Sequence, residues 1–203
     1  MSLWLPHWPT DQYRRRQQRK QSGQRPPSSA SAEAPLVLSA QVGNRLEIQA
    51  VNPAARALGL KPGVAVADAR AWVPHVIVVP LEPDADAADL KRLADWATRF
   101  SPLVATDGSD GLMLDIAGCA HLWGSEARLL ADLDRHMRSF GLHHRSAVAD
   151  TIGAAWGAAR FGAGPKQPNQ IVPFGEQRVA LSELPPASLR LPAELCAQLQ
   201  RLG

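Results

Sequence analysis

The stretch from Phe100 to Gly124 decides the fold, and it reads F-S-P-L-V-A-T-D-G-S-D-G-L-M-L-D-I-A-G-C-A-H-L-W-G. Two apolar runs flank the acidic, glycine-containing segment Asp107–Gly111, which is the pattern of two strands joined by a tight turn. A glycine-rich turn follows, and a helix with apolar residues at helical spacing begins at Ser125. The stretch therefore predicts a buried strand hairpin that carries acidic residues and leads into a helix.

Further strands are predicted on the N-terminal side of this hairpin. Leu3–Leu5 is a short apolar run ended by Pro6, which suits a first strand. Pro35–Ala40 and Arg45–Ala50 flank the turn dipeptide Gly43-Asn44 and predict a second hairpin. Val76–Val79 is apolar and β-branched throughout, which predicts a buried central strand.

Helices alternate with these strands. Capping residues and apolar spacing predict helices over 12–20 (capped by Thr10 or Asp11), 52–59, 64–72, 84–100, 125–140, 151–161 and 192–202. Residues 22–35 are rich in Ser, Pro, Gln and Ala and predict a flexible loop. The hairpins make the sheet mixed, so the predicted class is α+β, with helices packed on a mixed sheet.

Composition limits the class of protein. The chain has 203 residues, of which 45% are hydrophobic and 20% charged, as in soluble globular proteins. Its net charge of +3 is compatible with nucleic acid and equally with an ordinary basic surface. Cys119 and Cys196 lack the spacing of a zinc site, and the N-terminus is too short and too quickly polar for a signal peptide. With no apolar run of about 20 residues, we expect no membrane contact and a cytoplasmic protein.

The hairpin resembles the palm segment of Y-family (translesion) DNA polymerases, in which one strand reads S-[IL]-D-E-[AG]-[FY]-L-D-[VI]-[TS]-G. Ser109–Gly118 matches this segment, with the family Asp present as Asp110 and the family Glu replaced by Gly111. Asn52–Gly63 resembles the fingers, and 184–203 resembles the entry to the helix-hairpin-helix thumb. The resemblance implies a palm over residues 1–180 with small fingers inserted at about 35–80, then a linker and the start of a truncated thumb over 181–203.

Within this family, the chain is most similar to the ImuB-like branch. The opening L-W-L-P-H-W-P-T-D, the replacement of D-E at the hairpin and the run Gly118–Gly124 carry this resemblance. Members of the branch are regarded as non-catalytic adaptors in damage-induced mutagenesis. The implied partners are DNA, an error-prone replicative-type polymerase, a RecA-like accessory protein and, through residues beyond this chain, the sliding clamp.

Polymerase chemistry needs carboxylates that converge on two metal ions. The family's first-strand carboxylate falls at Pro6 and its hairpin Glu at Gly111, so Asp110 alone is left as a vestigial ligand. Arg56 and Lys61 match basic positions that grip the nucleotide in the family. We therefore expect a pseudo-polymerase without metal or cofactor. The alternative is an active error-prone polymerase in which Asp107 and Asp115 serve as displaced ligands.

Basic residues near the N-terminus are the main candidates for DNA contact. They are Arg14, Arg15, Arg16, Arg19, Lys20 and Arg25, to which the resemblance adds Lys166. Such a cluster neutralises phosphates in some proteins and is a solvated helix face in others. A further alternative for the chain is a protein-interaction module without DNA binding. Trp8 follows the first strand and is predicted to fill space that metal and nucleotide occupy in an active site.

Overall fold

The computed structural model describes residues 1–21 and 34–202. The chain forms two compact units, a larger one of Met1–Pro6 with Leu90–Gly203 and a smaller one of His7–Asp89. Both units combine a sheet with helices, so the α+β class is confirmed. Most of the predicted flexible loop, residues 22–33, lies outside the described residues.

The strands, in chain order, are β1 (Ser2–Trp4), β2 (Leu36–Val42), β3 (Arg45–Val51), β4 (Ile77–Pro80), β5 (Leu103–Asp107), β6 (Gly111–Asp115), β7 (Arg145–Val148) and β8 (Asn169–Ile171). The α-helices are α1 (Trp8–Gln21), α2 (Pro53–Ala57), α3 (Val66–Trp72), α4 (Pro83–Ala97), α5 (Glu126–Ser139), α6 (Ile152–Gly157), α7 (Gln177–Ser182) and α8 (Ala193–Leu202).

The larger unit contains a five-stranded sheet in the order β5-β6-β1-β7-β8. The three-residue strand β1 is central because Leu3 pairs antiparallel with Leu112 on β6 and with Ser146 on β7. The predicted hairpin is confirmed as β5 and β6, with Asp107 opposite Gly111. Since β8 pairs parallel with β7, the sheet is mixed, as predicted.

Two helices of the larger unit begin at predicted caps. The Ser125 hydroxyl oxygen accepts the Arg128 N–H (3.2 Å), and the Thr151 hydroxyl oxygen accepts the Ala154 N–H (3.2 Å). The apolar face predicted for α5 is buried, and it consists of Leu129, Leu130, Leu133 and Met137. A π-helical turn, Ala158–Gly162, extends α6.

The smaller unit contains a three-stranded sheet in the order β3-β2-β4. The predicted hairpin around Gly43 is confirmed as β2 and β3. Asn52 connects this hairpin to α2, because its side-chain oxygen accepts the N–H groups of Ala55 (2.9 Å) and Leu36 (3.0 Å). One side chain therefore caps a helix and fixes the start of a strand.

Two details of the smaller unit differ from the prediction. The apolar run Val76–Val79 is not a central strand, because β4 lies at the sheet edge and Ile77 is 44% exposed. The centre is taken by β2, which pairs with both β3 and β4. Helix α1 begins earlier than predicted, at Trp8, and the Thr10 hydroxyl donates to the His7 carbonyl (3.0 Å) inside the first turn.

None of the helices in the described part of the chain combines the length and apolar character that crossing a bilayer requires.

We predict that the larger unit becomes less stable as the pH drops below about 6.5, and that His144 is the cause. This side chain is buried, with its Nε2 3.2 Å from Asp134 Oδ1 on α5. Burial lowers the pKa of His144 from its usual 6.5, and the nearby Asp134 carboxylate only partly offsets this effect. As the pH falls, the unfolded chain therefore binds a proton on His144 at a higher pH than the folded chain does. The contribution of neutral His144 to stability is complete above pH 6.5 and is lost as the pH falls through the lower pKa of the folded state.

Urea denaturation between pH 8 and pH 5.5 measures this effect. We expect His144→Gln to flatten the dependence of the unfolding free energy on pH, and the exposed control His121→Gln to leave it as in the wild type. An unchanged dependence in His144→Gln would show that this histidine is not its source.

Candidate functional site

The tip of the β5–β6 hairpin brings together side chains from several parts of the larger unit. Trp4 on β1 lies opposite Gly111 on β6 and opposite Arg145 on β7. The Leu5 N–H donates to the Asp110 carbonyl oxygen (2.8 Å), which places the following residue, Pro6, beside the hairpin tip. The end of the first strand and the hairpin carboxylates are therefore neighbours.

Both carboxylates at this tip are neutralised by the protein itself. Arg160 Nη2 lies 3.2 Å from Asp107 Oδ2 and 3.3 Å from Asp110 Oδ1. The Trp4 indole N–H donates to Asp110 Oδ2 (2.8 Å), and Arg190 donates to Asp107 Oδ1. All four carboxylate oxygens thus accept a hydrogen bond. We refer to Asp107, Asp110, Trp4, Arg160 and Arg190 as the hairpin cluster.

Aromatic rings stack between the guanidinium groups of this cluster. The Arg160 guanidinium carbon lies 4.4 Å from the Trp156 ring centroid and 5.6 Å from that of Trp4. Arg190 also lies over the Trp156 ring, at 4.8 Å, and Arg145 lies over the Trp4 ring at 5.2 Å. The result is an alternating row of three arginines and two tryptophans, each contact of the cation–π type.

Arg160 is the central cation of the row. Its side chain is 11% exposed, and this burial lowers the pKa of Arg160, while the Asp110 and Asp107 carboxylates raise it. A guanidinium nevertheless keeps its charge at neutral pH because its intrinsic pKa is so high. The site therefore contains a permanent positive charge placed between two carboxylates.

Gly111, which the resemblance pairs with the family Glu, has little room for a side chain. A Cβ atom there would lie 3.1 Å from Arg160 Nη2, 3.1 Å from the Asp107 carbonyl oxygen and 3.2 Å from the Leu3 carbonyl oxygen. Two of these neighbours are backbone atoms of the central sheet and cannot move independently. A glutamate at this position would thus disturb the hairpin cluster.

The residues of this site do not fit a pair of Mg²⁺ ions. Mg²⁺ requires near-octahedral oxygen coordination, whereas the oxygens of Asp107 and Asp110 already accept hydrogen bonds from nitrogen donors. Pro6 and Gly111 provide no carboxylate. Over residues 1–21 and 34–202, no group of three or more His, Cys, Asp or Glu side chains is arranged to hold a metal ion.

Asp115, the other possible displaced ligand, is not part of this site. It lies at the far end of β6, opposite Leu103, while Asp107 pairs with Gly111 at the tip. Four residues along a strand correspond to about 13 Å. The structure therefore brings Asp107 and Asp110 together but not Asp115.

The predicted DNA-contact residues of α1 differ in their surroundings. Arg16 is held by Asp86 (2.6 Å), Asp89 (2.8 Å) and Glu82 (3.0 Å). Arg14 pairs with Asp11 (2.7 Å), and burial lowers the pKa of Arg15, which is half-buried. Arg19 and Lys20 are exposed at the end of the helix. Arg25 lies outside the described residues.

The remaining predicted site residues lie in both units. Arg56 and Lys61 are exposed in the smaller unit, and Lys166 is exposed in the loop before β8 of the larger unit. Trp8 is fully buried, and its indole N–H donates to the Asp86 carbonyl oxygen (3.1 Å). Trp8 is thus a core side chain of the smaller unit, and its predicted role in filling a nucleotide cleft stays a prediction.

Sequence reasoning did not identify the cations of the hairpin cluster. Arg160 lies near the end of the predicted helix 151–161, and Arg190 lies in the stretch 181–203 predicted as a linker and the start of the thumb. One signal was available: Trp156 and Arg160 are four residues apart, which places them on the same face of a helix. The partners of Arg190 are set by long-range contacts, which a local pattern does not indicate.

The chain matches known proteins over most of its length. The family model described as IMS, the impB/mucB/samB family, matches residues 28–160. Protein ImuB from two strains of Caulobacter vibrioides is 51% identical over 147 residues, which are 72% of this chain and 31% of the relative. The chain therefore spans about a third of the length of these curated relatives.

Solved structures match the fold of the whole chain. The crystal structure of DinB from Sulfolobus solfataricus matches with a TM-score of 0.72 at 18% identity, covering 100% of this chain and 56% of that one. The insertion ternary complex of Dbh DNA polymerase matches with a TM-score of 0.76 at 18% identity, covering 100% of this chain and 57% of that one. The polymerase-like palm-and-fingers fold predicted from the sequence is thereby confirmed.

Proposed function

Because the chain belongs to the impB/mucB/samB family, we propose that it acts in DNA-damage tolerance as a DNA-contacting scaffold without polymerase chemistry of its own. The observation that carries this proposal is the Arg160 guanidinium between Asp107 and Asp110. A cation of the protein occupies the place where an active palm needs carboxylates open to metal ions.

The chemistry of the hairpin cluster supports a structural role. In a two-metal polymerase, the ions offset the mutual repulsion of the converging carboxylates. In this chain, Arg160 and Arg190 offset the repulsion between Asp107 and Asp110. We therefore expect the hairpin to keep its geometry without metal and without nucleotide.

The wider assembly follows from the resemblance to the ImuB-like branch. We propose DNA, an error-prone replicative-type polymerase, a RecA-like accessory protein and the sliding clamp as partners, the clamp through residues beyond this chain. Residues 1–180 would form the palm with its inserted fingers, and 181–203 the linker and the start of the thumb.

DNA contact is proposed for the exposed end of α1 and for Lys166. We do not assign Arg16 to DNA, because three carboxylates surround its guanidinium and phosphate binding would have to break those ion pairs. Arg19 and Lys20 combine exposure with positive charge on the last turn of the helix. They are the described members of the N-terminal cluster best placed to neutralise phosphates.

Salt-dependent binding to a primed DNA duplex tests the proposal. We expect log K to fall linearly with log salt, and Arg19→Ala/Lys20→Ala to reduce the slope by about two, since each lost phosphate contact removes about 0.9. The control Arg70→Ala/Arg178→Ala removes the same charge from exposed positions elsewhere and should retain the wild-type slope. If the wild type does not bind at low salt, the chain is a protein-interaction module and the DNA-scaffold proposal is wrong.

A further inference from the structure

The segment that precedes α8 determines where this helix lies on the larger unit. Pro186–Leu189 forms a 3-10 turn, Arg190 follows it, and α8 begins at Ala193. Helix α8 packs against the 3-10 turn. The Sγ atom of Cys196, a buried residue of α8, lies 3.6 Å from the Leu191 carbonyl oxygen. The position of α8 therefore depends on how residues 186–191 are held.

Arg190 joins this segment to the hairpin cluster through its side chain. Its guanidinium donates to Asp107 Oδ1 and lies over the Trp156 ring at 4.8 Å. The other oxygen of the same carboxylate, Asp107 Oδ2, lies 3.2 Å from Arg160 Nη2. The Arg190 side chain is 42% exposed, whereas that of Asp107 is 13% exposed. Arg190 is thus the partner that can move into water, and Asp107 keeps the cation of Arg160 when it does.

The backbone at Arg190 also depends on these contacts. Arg190 has a φ of 60°, and over residues 1–21 and 34–202 it is the one non-glycine residue with a positive φ. The left-handed region costs free energy for a residue with a side chain, and it persists where surrounding contacts impose it. Without the contacts to Asp107 and Trp156, we expect the segment to leave this conformation.

The segment approaches α6 at a second point, which involves no charge. Ser188 is buried, and a Cβ atom added at Gly157 would lie 2.9 Å from the Ser188 carbonyl oxygen. The same atom would lie 3.3 Å from the Ser188 Cβ. The segment can therefore lie against α6 at this distance only because residue 157 has no side chain.

We propose that residues 186–191 act as a strap that holds α8 on the larger unit, with the ion pair of Arg190 and Asp107 as its fastening. When the strap opens, α8 moves with it, while the five-stranded sheet and the ion pair of Arg160 with Asp107 stay in place. Because the fastening is partly exposed, salt screens it and shifts the strap towards the open state. This coupling of α8 to the hairpin is independent of whether the chain binds DNA.

Hydrogen–deuterium exchange of the whole chain, followed by mass spectrometry, tests the strap. We expect Arg190→Gln to raise the exchange rate of residues 186–200 about tenfold, because a charge-assisted contact that limits local opening is lost. Exchange of the hairpin, residues 103–115, should stay as in the wild type. The matched control Arg135→Gln breaks an exposed ion pair with Asp132 on α5 and should leave residues 186–200 unchanged.

Salt provides a second test of the same fastening. Raising the NaCl concentration from roughly 50 mM to roughly 500 mM should speed the exchange of residues 186–200 in the wild type, since the Debye length falls several-fold. In Arg190→Gln the same change in salt should have no effect on this segment.

Gly157→Ala tests the strap without changing any charge. Its methyl group would push the Ser188 carbonyl away from α6, so we expect faster exchange of residues 186–200 with Arg190 still present. Gly153→Ala, in the same helix with nothing within 4 Å of an added Cβ, should retain the wild-type pattern. Wild-type exchange of residues 186–200 in Arg190→Gln or in Gly157→Ala, or an equal rise in residues 103–115, would overturn the strap.

Discussion

Arg160→Ala is expected to lower the free energy of unfolding by about 2–4 kcal/mol, because it leaves Asp107 and Asp110 next to each other without their shared cation. Removing one partner of a buried ion pair costs about 3–5 kcal/mol, and the lower range here allows for Asp110, whose side chain is 39% exposed. The stacking of Arg160 on Trp156 is lost as well. For a chain of this size, we expect the melting temperature to fall by about 5–10 °C.

Two further variants distinguish charge from packing. Arg160→Lys should recover only part of the loss, because a lysine ammonium keeps the positive charge but cannot stack on tryptophan as the planar guanidinium does. Arg160→Ala combined with Asp107→Asn/Asp110→Asn should be more stable than Arg160→Ala alone, since the repulsion is removed. Arg138→Ala, which breaks an exposed ion pair with Asp134, serves as the control and should leave the melting temperature unchanged. Equal effects of Arg160→Ala and Arg138→Ala would contradict the central role of Arg160.

Gly111→Glu is expected to destabilise the chain rather than restore a metal site. The new Cβ would lie 3.1–3.2 Å from Arg160 Nη2 and from the carbonyl oxygens of Asp107 and Leu3. These distances are shorter than an ordinary van der Waals contact. Overpacking of this kind typically costs about 1–3 kcal/mol, and a glutamate adds a third carboxylate to a site that already holds Asp107 and Asp110. We expect Gly111→Ala to show the packing cost alone and Gly111→Glu to be less stable still.

Gly153→Ala is the matched control for this prediction. Gly153 lies in α6 with nothing within 4 Å of an added Cβ, so alanine there should raise stability by about 0.4–1 kcal/mol. Thermal unfolding of the three glycine variants gives the comparison. A stable Gly111→Glu variant that binds Mg²⁺ would show that the missing glutamate alone separates this hairpin from a metal site.

Local patterns were sufficient to predict much of the fold. The hairpin of β5 and β6, the apolar face of α5 and the Asn52 cap follow from alternation, helical spacing and capping chemistry. The edge position of β4 could not be predicted from such patterns. An apolar β-branched run looks the same in sequence whether it forms a central strand or an edge strand. Strand order depends on which other strands are available for pairing.

The candidate site shows the same division. Comparison of the sequence with the family motif is enough to show that Pro6 and Gly111 are not carboxylates. The ion pairs of Arg160 with the hairpin carboxylates cannot be found in this way, because Arg160 is 50 residues from Asp110 along the chain and meets it only through the packing of the turn Ala158–Gly162 against the sheet. A sequence pattern shows which ligands are absent, whereas only the structure shows the guanidinium that neutralises those that remain.

The central claim is that a guanidinium takes the place of metal ions at the hairpin, and paramagnetic broadening by Mn²⁺ tests it most directly. Amide signals of residues 107–111 would be followed by NMR while Mn²⁺ is added to the wild-type chain. We predict no selective or saturable broadening of these signals relative to those of other exposed aspartates, because Arg160, Arg190 and Trp4 bind the carboxylate oxygens. Selective, saturable broadening centred on Asp107 and Asp110 would contradict the claim and return the chain to the class of metal-binding palms.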